Sequence, residues 1–272
     1  MDARLAGILG EIARGRGRVV ALTGAGISAE SGIPTFRGSE GYWVVGSRNY
    51  VPEEMATRRM FDRVPEEVWR WYLYRFGVCR NAEPNAGHAA LVGLEQALSD
   101  RFTLVTQNID GLHHRAGSRH VLCIHGDGGY VRCARECGVG VLGLPDLTAR
   151  PQEVPLSAAD RERLTCPRCG SWLRPHVLWF DECYDEHHYR ADSALRAVEE
   201  AHLLLVVGTS GATSLPMHLG LTALKRGIAL VDVNPESNPF AQMAARSPRG
   251  FVARGSACEC LPEIVRALGA GT

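Results

Sequence analysis

Six short apolar runs, spaced along the chain, place the strongest constraint on how this sequence can fold. Each run is almost continuously apolar, whereas a strand with one wet face would alternate apolar and polar residues. Continuous apolar runs are what strands buried on both faces of a parallel sheet require. We therefore predict parallel strands at Arg18–Leu22, Phe102–Val105, Val121–Ile124, His176–Phe180, Leu203–Val207 and Ile228–Val233.

Helical periodicity fills most of the intervals between these runs. Strands that alternate with helices indicate an α/β fold with a doubly wound, Rossmann-like parallel sheet. The predicted helices are a short amphipathic one within residues 1–18, followed by Asn85–Ser99, Glu186–Ala201, Leu215–Arg226 and Leu261–Leu268.

Two segments interrupt the alternation. Residues 41–82 are rich in aromatic and charged side chains and predict a helical insertion, while residues 130–174 show little periodicity but contain four cysteines. We expect a single domain over residues 1–272. Its Rossmann-like lobe would comprise residues 1–40, 83–129 and 175–272, and the two interrupting segments would form a smaller zinc-binding and helical lobe.

Composition narrows the class of partner and the cellular setting. The 30 basic and 30 acidic residues give a formal net charge of zero, so charge provides no case for nucleic acid or an anionic membrane. No stretch approaches the roughly 18 apolar residues of a membrane span, and the N-terminus lacks the apolar block of a secretory signal. Nine cysteines, an odd number that includes two closely spaced pairs, favour a reducing, cytoplasmic location.

Small and polar residues follow most of the predicted strands. The segments concerned are Thr23–Ala29, Thr106–Asp110, His125–Gly126, Gly208–Ser210 and Asn234–Pro235. In open α/β sheets, ligands bind beyond the carboxyl ends of the strands. Because five such ends converge on one rim, the sequence predicts a nucleotide pocket there.

The loop after the first strand matches the dinucleotide pattern G-x-G-x-x-G/A through Gly24, Gly26 and Ala29. Glycines let a backbone approach a pyrophosphate, although an ordinary tight turn would explain the same residues. No acidic residue follows a second strand at the usual spacing, because that strand lies about 80 residues further on. Ser210 and Asn234 are therefore the candidates for holding a ribose.

Four cysteines form a metal-binding pattern. Cys133 and Cys137 are separated by three residues, and Cys166 and Cys169 by two. Four thiolates on two short turns suit a closed, structural zinc site, although two unrelated thiol pairs remain the alternative. The remaining cysteines are expected to be small buried hydrophobic residues: Cys79, Cys123, Cys183, Cys258 and Cys260.

Two long motifs carry a resemblance to a known family. The segment Gly24–Gly38 closely resembles the first signature of the sirtuins, and Thr106–His113 resembles the second. Ile124–Gly126, Gly208–Ser210 and Val233–Pro235 are similar to the remaining family landmarks, in the same order. The resemblance extends over nearly the whole chain.

The resemblance implies an NAD-dependent protein lysine deacylase with one structural zinc ion. Such an enzyme transfers the acyl group of an acyl-lysine protein or peptide to ADP-ribose and releases nicotinamide, so NAD is a consumed co-substrate. The NAD-binding positions that it implies are Gly24, Ala25, Gly26, Ser28, Glu30, Pro34, Phe36, Arg37, Gln107, Asn108, Asp110, Gly208, Thr209, Ser210, Asn234 and Ala257.

Catalytic roles follow from the same resemblance. Asn108 and Asp110 would line the nicotinamide pocket, and His125 would be the general base on a ribose hydroxyl. Histidine suits that role because its pKa lies near neutrality. Among the other histidines, we expect His88 to be a polar packing residue. Four more are expected at the surface or behind the site: His113, His114, His187 and His188.

The acyl-lysine side also has sequence signals. The segment Arg174–Glu182 resembles the sirtuin strand that pairs with the substrate peptide, with Asp181 where the family usually has glycine. The predicted substrate-binding residues are Val177, Leu178, Trp179 and Phe180 from that segment, with Tyr72 and Arg75 from the helical insertion.

Tyr72 and Arg75 stand three residues apart on one helix face. They resemble the Tyr-x-x-Arg motif of sirtuins that remove succinyl, malonyl or glutaryl groups, in which an Arg fork and a phenol can bind a carboxylate. The alternative is an aromatic core stripe beside a solvated Arg. In this subgroup, alanine usually stands at the position of Ser39.

Two other functions stay open on the same scaffold. One is an ADP-ribosyltransferase or NAD hydrolase, which would release nicotinamide without an acyl substrate. The other is an NAD-binding module without catalysis. The presence of His125, Asn108 and Asp110 together favours the deacylase.

Overall fold

The computed structural model describes residues 1–35, 52–147 and 154–269. Its centre is a six-stranded parallel sheet, in which the spatial order of strands is β3-β2-β1-β7-β8-β9. The strands are β1 (Val19–Thr23), β2 (Phe102–Thr106), β3 (Val121–Cys123), β7 (Leu203–Val207), β8 (Ala229–Val233) and β9 (Gly250–Ala253). This is the order of a doubly wound dinucleotide-binding sheet, so the predicted fold class is confirmed.

Both faces of the sheet are covered, as the continuous apolar runs predicted. In β1, Val19 and Ala21 face one hydrophobic cluster, while Val20 and Leu22 face another. The second sheet of the molecule is small and antiparallel, in the order β5-β4-β6. Its strands are β4 (Gly126–Cys133), β5 (Val141–Gly143) and β6 (Leu173–Val177).

Helices pack on both faces of the parallel sheet and form much of the smaller lobe. Among the residues described, no helix is long and apolar enough to cross a membrane. The helices are α1 (Ala3–Arg14), α2 (Pro52–Met55), α3 (Arg58–Arg63), α4 (Pro65–Asn81), α5 (Ala86–Leu98), α6 (Leu112–Ala116), α7 (Ala158–Arg163), α8 (Glu186–Tyr189), α9 (Ala191–Glu199), α10 (Ser214–Lys225), α11 (Pro239–Arg246) and α12 (Ala257–Ala267).

The predicted parallel strand at His176–Phe180 is wrong. Residues Leu173–Val177 form β6, which pairs antiparallel with β4 in the small sheet, and the chain beyond Val177 leaves the sheet. The apolar character of this segment has another cause, since Trp179 is buried in the hydrophobic core of the smaller lobe. Strands β4 and β6 also reach beyond residues 130 and 174, the expected limits of the cysteine-bearing segment.

Several helices and strands differ from the prediction. The single helix expected over Glu186–Ala201 is divided into α8 and α9 by Arg190, whose φ of 53° is left-handed. Helices α6, α7 and α11 and strands β4, β5 and β9 were not predicted. Helix α11 begins where Asn238 accepts hydrogen bonds from two backbone amides, a local capping signal that was present in the sequence.

The four predicted cysteines lie together at one end of the small sheet. The Sγ atoms of Cys133 and Cys169 are 3.5 Å apart, and those of Cys137 and Cys166 are 3.6 Å apart. All four sulfur atoms lie within 4.8 Å of one another. A tetrahedral zinc ion with Zn–S bonds of about 2.3 Å would separate its ligands by about 3.8 Å. The cluster therefore fits a closed zinc site, in which the metal would join the end of β4 and the turn after it to the turn that precedes β6.

Three residues separate Cys133 from Cys137, one more than separate Cys166 from Cys169. A left-handed backbone accommodates the additional residue. Glu136 has a φ of 48°, and its amide donates to the Cys133 carbonyl over 3.1 Å. Its side chain is held by Arg132, at 2.8 Å between Nη1 and Oε1. The Arg135 amide donates to the Cys133 Sγ over 3.3 Å. Cys133 is thus correctly assigned to the cluster.

The other five cysteines were expected to be buried, but none of them is fully buried. Cys183 is exposed, and Cys79, Cys123, Cys258 and Cys260 are only partly buried. None of the nine cysteines, all of which lie in the described part of the chain, forms a disulfide. Cys79 and Cys260 pack against hydrophobic clusters although they are not fully buried.

We predict that Cys169→Ser lowers the melting temperature by roughly 10 °C, because the smaller lobe loses a metal cross-link. Such a cross-link contributes several kcal/mol to the free energy of unfolding, and each kcal/mol shifts Tm by about 2–4 °C in a chain of this size. The exposed Cys183 lies outside the cluster, so Cys183→Ser is the matched control. Thermal unfolding followed by circular dichroism, with zinc content measured on the same samples, checks this. Equal melting temperatures for the two variants would contradict a structural metal.

Candidate active site

The chain reverses its direction of winding between β1 and β7, which lie side by side in the sheet. From β1 it continues to β2 and β3 on one side, then returns to β7, β8 and β9 on the other. The loops that follow β1 and β7 therefore lead away in opposite directions and leave a crevice beyond the carboxyl ends of the strands. Such a switch point is where open α/β sheets bind their ligands.

Three glycines allow the two loops to touch at the floor of this crevice. The Gly24 amide donates to the Val207 carbonyl over 3.0 Å, and the Gly26 amide donates to the Gly208 carbonyl over 2.8 Å. A Cβ on Gly26 would lie 2.6 Å from the Gly208 Cα, and Gly208 itself has a φ of +59°. The glycine pattern is thus required by loop-to-loop packing, before any ligand is considered.

The loop after β1 winds into a short 3₁₀ helix, Ala25–Ser31, which ends at Gly32 with a φ of 81°. Asn85 fixes this turn from the side, since its Nδ2 donates to the Ile27 carbonyl over 2.8 Å and to the Ser31 Oγ over 3.0 Å. Ala25 and Gly26 remain partly exposed to the crevice. The loop therefore forms a rigid wall of the crevice.

One hydrogen-bonded network joins Ser28 of this loop to Asn108 and Asp110, which follow β2. The Asn108 Nδ2 donates to the Gly24 carbonyl over 3.1 Å and to the Ser28 Oγ over 3.2 Å. Ser28 donates to the Asp110 Oδ2 over 2.7 Å, and the Leu112 amide donates to Oδ1 over 2.9 Å. Burial raises the pKa of Asp110, while these two hydrogen bonds oppose the shift. The structure thus brings the predicted residues together.

Gln107 links the two sides of the crevice. Its Nε2 donates to the Thr209 Oγ1 over 2.8 Å, and its Oε1 accepts from the Thr213 Oγ1 over 3.1 Å. Thr213 was not predicted, because no pattern in its own segment marks it as a partner of a residue more than 100 positions away. The amide of Gln107 is oriented by both threonines.

His125 lies immediately before β4, at the boundary between the two sheets. Its Nε2 is 2.8 Å from the Tyr184 hydroxyl oxygen. Burial lowers the pKa of His125 to about 4, although a hydrogen bond with the Gln107 backbone opposes this. The imidazole is therefore neutral at pH 7. Tyr184 was missed from the sequence, since it lies 59 residues away and belongs to none of the motifs.

Two further histidines lie beneath the floor of the crevice. His113 is buried, with its Nε2 2.9 Å from the Thr23 Oγ1, and burial lowers its pKa to about 3. The His88 ring packs against His113 and shares a hydrogen bond with Asn85, which confirms its expected packing role. His114 and His187 are exposed and His188 is partly buried.

The candidates for the ribose lie at the ends of β7 and β8. The Asn234 Nδ2 donates to the Asp232 Oδ1 over 3.1 Å and to the Thr209 carbonyl over 3.4 Å, which points the amide toward β7. Ser210 is exposed. Burial raises the pKa of Asp232, whose carboxylate is buried at the end of β8.

Three of the remaining predicted NAD-binding residues lie within the described part of the chain. Glu30 faces the first turn of α12, where its Oε2 accepts from the Cys258 amide over 3.3 Å. Ala257 is buried at the start of that helix, and Pro34 is partly exposed. Phe36 and Arg37 lie outside the described residues, as do Ser39 and the rest of the first motif's end.

Tyr72 and Arg75 are buried beside one another in α4, with 1% and 7% of their surfaces exposed. The Tyr72 hydroxyl accepts from the Trp179 Nε1 over 2.9 Å, and the Arg75 guanidinium lies 4.3 Å from the centre of the Trp71 ring. Burial raises the pKa of Tyr72 to about 12, and the charge of Arg75 opposes this shift. A solvated Arg75, the alternative considered from the sequence, is wrong.

The segment after β6 connects this pair to His125. The Leu178 amide donates to the His125 carbonyl over 2.9 Å, and the Phe180 amide donates to the Ala56 carbonyl over 3.0 Å. Val177 and Trp179 are buried, whereas Phe180 is 55% exposed. This segment therefore carries the exposed ring of Phe180, while the indole of Trp179 reaches Tyr72.

Asp181 explains one departure from the family pattern. Its carboxylate accepts from the amides of Arg58 and Arg59 over 2.7 and 3.1 Å, at the start of α3. An aspartate at the N-terminus of a helix satisfies amides that have no partner within the helix. The residue that replaces glycine thus fastens the segment to the helical part of the smaller lobe.

Comparison with known proteins agrees with this geometry. The model of the Sir2 family matches residues 24–214. An NAD-dependent protein deacylase of Leptospira interrogans is 41% identical over 249 residues, which cover 92% of this chain and 92% of the relative.

Two solved structures are also similar. A Sir2 homolog–NAD complex has a TM-score of 0.80 and 38% identity, covering 98% of this chain and 94% of that chain. A Sir2 structure with a p53 peptide and NAD+ has a TM-score of 0.76 and 27% identity over the full length of both chains. The family model and the relatives together show that this chain belongs to the Sir2 family, the sirtuins.

Proposed function

We propose that this chain is an NAD-dependent protein lysine deacylase, which transfers an acyl group from lysine to ADP-ribose and releases nicotinamide. The observation that carries the proposal is the position of a neutral His125 beside the crevice that holds Asn108, Ser28 and Asp110. The name of the Leptospira relative and the NAD complex of the Sir2 homolog support the same reaction.

The reaction needs three groups in one place: NAD, an acyl-lysine and a base. Cleavage of the bond to nicotinamide leaves an electron-poor ribose carbon, which the acyl oxygen attacks. That oxygen is a weak nucleophile, so the site must hold the two reactants close and aligned. The rigid glycine contact between the loops after β1 and β7 provides the fixed surface for the dinucleotide.

His125 would take the proton from a ribose hydroxyl, so that this oxygen can attack the carbon of the transferred acyl group. The proton moves to a ring nitrogen and is later returned to the product. An imidazole that is already neutral is ready to accept it. The Tyr184 hydroxyl fixes the orientation of the ring until a substrate hydroxyl approaches.

Asn108, Asp110 and Gln107 would orient the nicotinamide end of NAD. The Asp110 carboxylate is held by Ser28 and Leu112, and the Asn108 amide is held by the Gly24 carbonyl. These side chains therefore present fixed donors and acceptors to a carboxamide. Gln107 directly precedes Asn108, and Thr209 and Thr213 orient its amide. This amide would contact the ribose.

For the acyl group, we propose that the site accepts succinyl-type chains ending in a carboxylate, besides acetyl. Tyr72 and Arg75 lie together in a buried position, and Trp179 joins Tyr72 to the segment that contacts His125. A guanidinium and a phenol within a buried pocket bind a carboxylate more strongly than they would in water.

The substrate peptide is proposed to lie along the segment Val177–Phe180, where Phe180 is exposed. The Sir2 structure with a p53 peptide supports a peptide substrate. We also propose a cytoplasmic location for the enzyme, because four of its cysteines form a metal-binding cluster rather than a disulfide framework.

We predict that His125→Ala reduces turnover of an acetyl-lysine peptide by ~100-fold or more and leaves NAD binding nearly unchanged, because the base is lost but the crevice is not. Nicotinamide release and NAD affinity by calorimetry measure the two effects. The exposed His187 provides the control variant His187→Ala. Nicotinamide release that continues without an acyl peptide would instead indicate an NAD hydrolase or ADP-ribosyltransferase.

A second prediction concerns pH. Because burial lowers the pKa of His125 to about 4, the active neutral form persists well below the value of about 6.5 that an exposed histidine shows. We expect kcat/KM to stay level as the pH falls through 6.5 and to decline only toward the lower pKa. Circular dichroism at each pH serves as the folding control. A decline centred near 6.5 would contradict a buried base.

A third prediction tests the acyl pocket. Arg75→Met should lower kcat/KM for a succinyl-lysine peptide about 10- to 100-fold more than for an acetyl-lysine peptide. Only the succinyl group has a carboxylate, which would lose its bond to the Arg75 guanidinium. Arg80→Met, an exposed position of the same helix, is the matched control. If both substrates lose activity equally, Tyr72 and Arg75 are packing residues.

A further inference from the structure

Three side chains with different metal-binding atoms meet beside the candidate active site, away from the four-cysteine cluster. His114 belongs to α6, Cys123 ends β3, and Asp127 is the second residue of β4. The Cys123 Sγ is 3.7 Å from the His114 Nε2, which is 3.9 Å from the Asp127 Oδ2. The three donor atoms all lie within 4.8 Å of one another.

These separations match those between ligands of one small ion. Zinc binds sulfur at about 2.3 Å and nitrogen or oxygen at about 2.0–2.2 Å, so tetrahedral geometry places sulfur about 3.6 Å and oxygen about 3.4 Å from the nitrogen. The distance from the Cys123 sulfur to the His114 nitrogen, 3.7 Å, is close to the expected sulfur–nitrogen separation. The distance from that nitrogen to the Asp127 oxygen, 3.9 Å, exceeds the expected nitrogen–oxygen separation by about half an ångström. A small rotation of the exposed imidazole would complete the geometry.

The surrounding backbone holds two of the three ligands in place. The Gly129 amide donates to the Asp127 Oδ1 over 2.7 Å, which leaves Oδ2 turned toward His114. Cys123 lies in register with Thr106 of β2, in the parallel sheet. The side chain of Asp127 is only 13% exposed while that of His114 is 45% exposed, so an ion could enter from the histidine side.

We propose that His114, Cys123 and Asp127 form an exchangeable site for a thiophilic divalent ion such as Zn²⁺ or Co²⁺. A thiolate, an imidazole and a carboxylate favour such ions over Mg²⁺ or Ca²⁺, which prefer oxygen ligands. Three protein ligands leave one tetrahedral position for water, unlike the closed four-cysteine site. On binding, the Cys123 thiol loses its proton to solvent and the sulfur forms a bond to the ion.

The location gives the ion a route to influence catalysis. The Gly128 amide donates to the Ile109 carbonyl over 3.0 Å, which connects the first residues of β4 to the residue preceding Asp110. An ion between β3 and β4 would fix this part of β4 and place positive charge next to the proposed nicotinamide pocket. We expect slower turnover when the ion is bound, an effect that rests on the proposed deacylase function, whereas the binding itself does not.

Cobalt provides the test, because thiolate-bound tetrahedral Co²⁺ has an intense charge-transfer band and visible absorption. Full-length protein that retains its structural zinc is titrated with Co²⁺ at neutral pH. We expect these bands to saturate at one ion per chain and zinc to be retained throughout. Cys123→Ser should abolish the charge-transfer band, and His114→Ala should weaken binding by about 10-fold or more.

Matched variants separate this site from others. Cys183→Ser and His187→Ala remove an exposed thiol and an exposed imidazole elsewhere, and both should bind cobalt like the unaltered protein. Deacylation assayed in the same titration should slow in parallel with the bands and recover on chelation. Bands that persist in Cys123→Ser, or the absence of a saturable band in the unaltered protein, would overturn the site whatever the outcome of the deacylation assay.

Discussion

The contact between the backbone after β1 and the backbone after β7 is the constraint on which the rest of the structure depends. Gly26 donates to the Gly208 carbonyl over 2.8 Å, a separation that leaves no room for a Cβ at either residue. If this contact opened, the 3₁₀ turn Ala25–Ser31 would move away from Asn108, whose amide is held by the Gly24 carbonyl and the Ser28 hydroxyl. The polar network is therefore positioned by a steric condition on backbone atoms.

The smaller lobe is attached to this crevice through a buried ion pair. Arg174 is fully buried, contacts the Glu182 carboxylate and lies 3.4 Å from the centre of the Trp179 ring. Removing two charges from water costs free energy, which the hydrogen bonds of Arg174 to Glu182 and to the Val177 carbonyl must offset. Since hydrogen bonds have strict geometry, this arrangement contributes a defined position for Trp179 and, through Leu178, for the His125 backbone.

The sequence predicted best what depends on local pattern. Five of the six strands of the parallel sheet were found because continuous apolar runs have few alternatives, and the cysteine pairs because two short turns can bring four sulfurs together. The error at His176–Phe180 arose because a run buried by another lobe looks the same as a strand buried in the sheet. The break at Arg190 was missed since nothing in its own residue type requires a left-handed backbone.

Contacts between distant residues could not be read from any pattern. Tyr184 meets His125, and Thr213 meets Gln107, only because the fold brings together the segments that follow β2, β3, β6 and β7. The metal-binding triad was overlooked for a related reason. His114, Cys123 and Asp127 lie within a stretch of 14 residues, but their spacing matches no single turn or helix. Their side chains converge because β3 ends at Cys123 and β4 begins at Gly126, beside α6.

Burial has a consistent electrostatic effect on the histidines around the crevice. It lowers the pKa of His88 and His125 to about 4 and that of His113 to about 3, so all three rings are neutral at pH 7. In the proposed reaction, the nicotinamide ring and then the ribose carbon carry positive charge, which imidazolium groups would repel. The neutral ring of His125, with the neutral rings of His88 and His113 beneath the floor of the crevice, avoids that repulsion. The same apolar packing that holds the sheet ends together thus also sets the charge of the site.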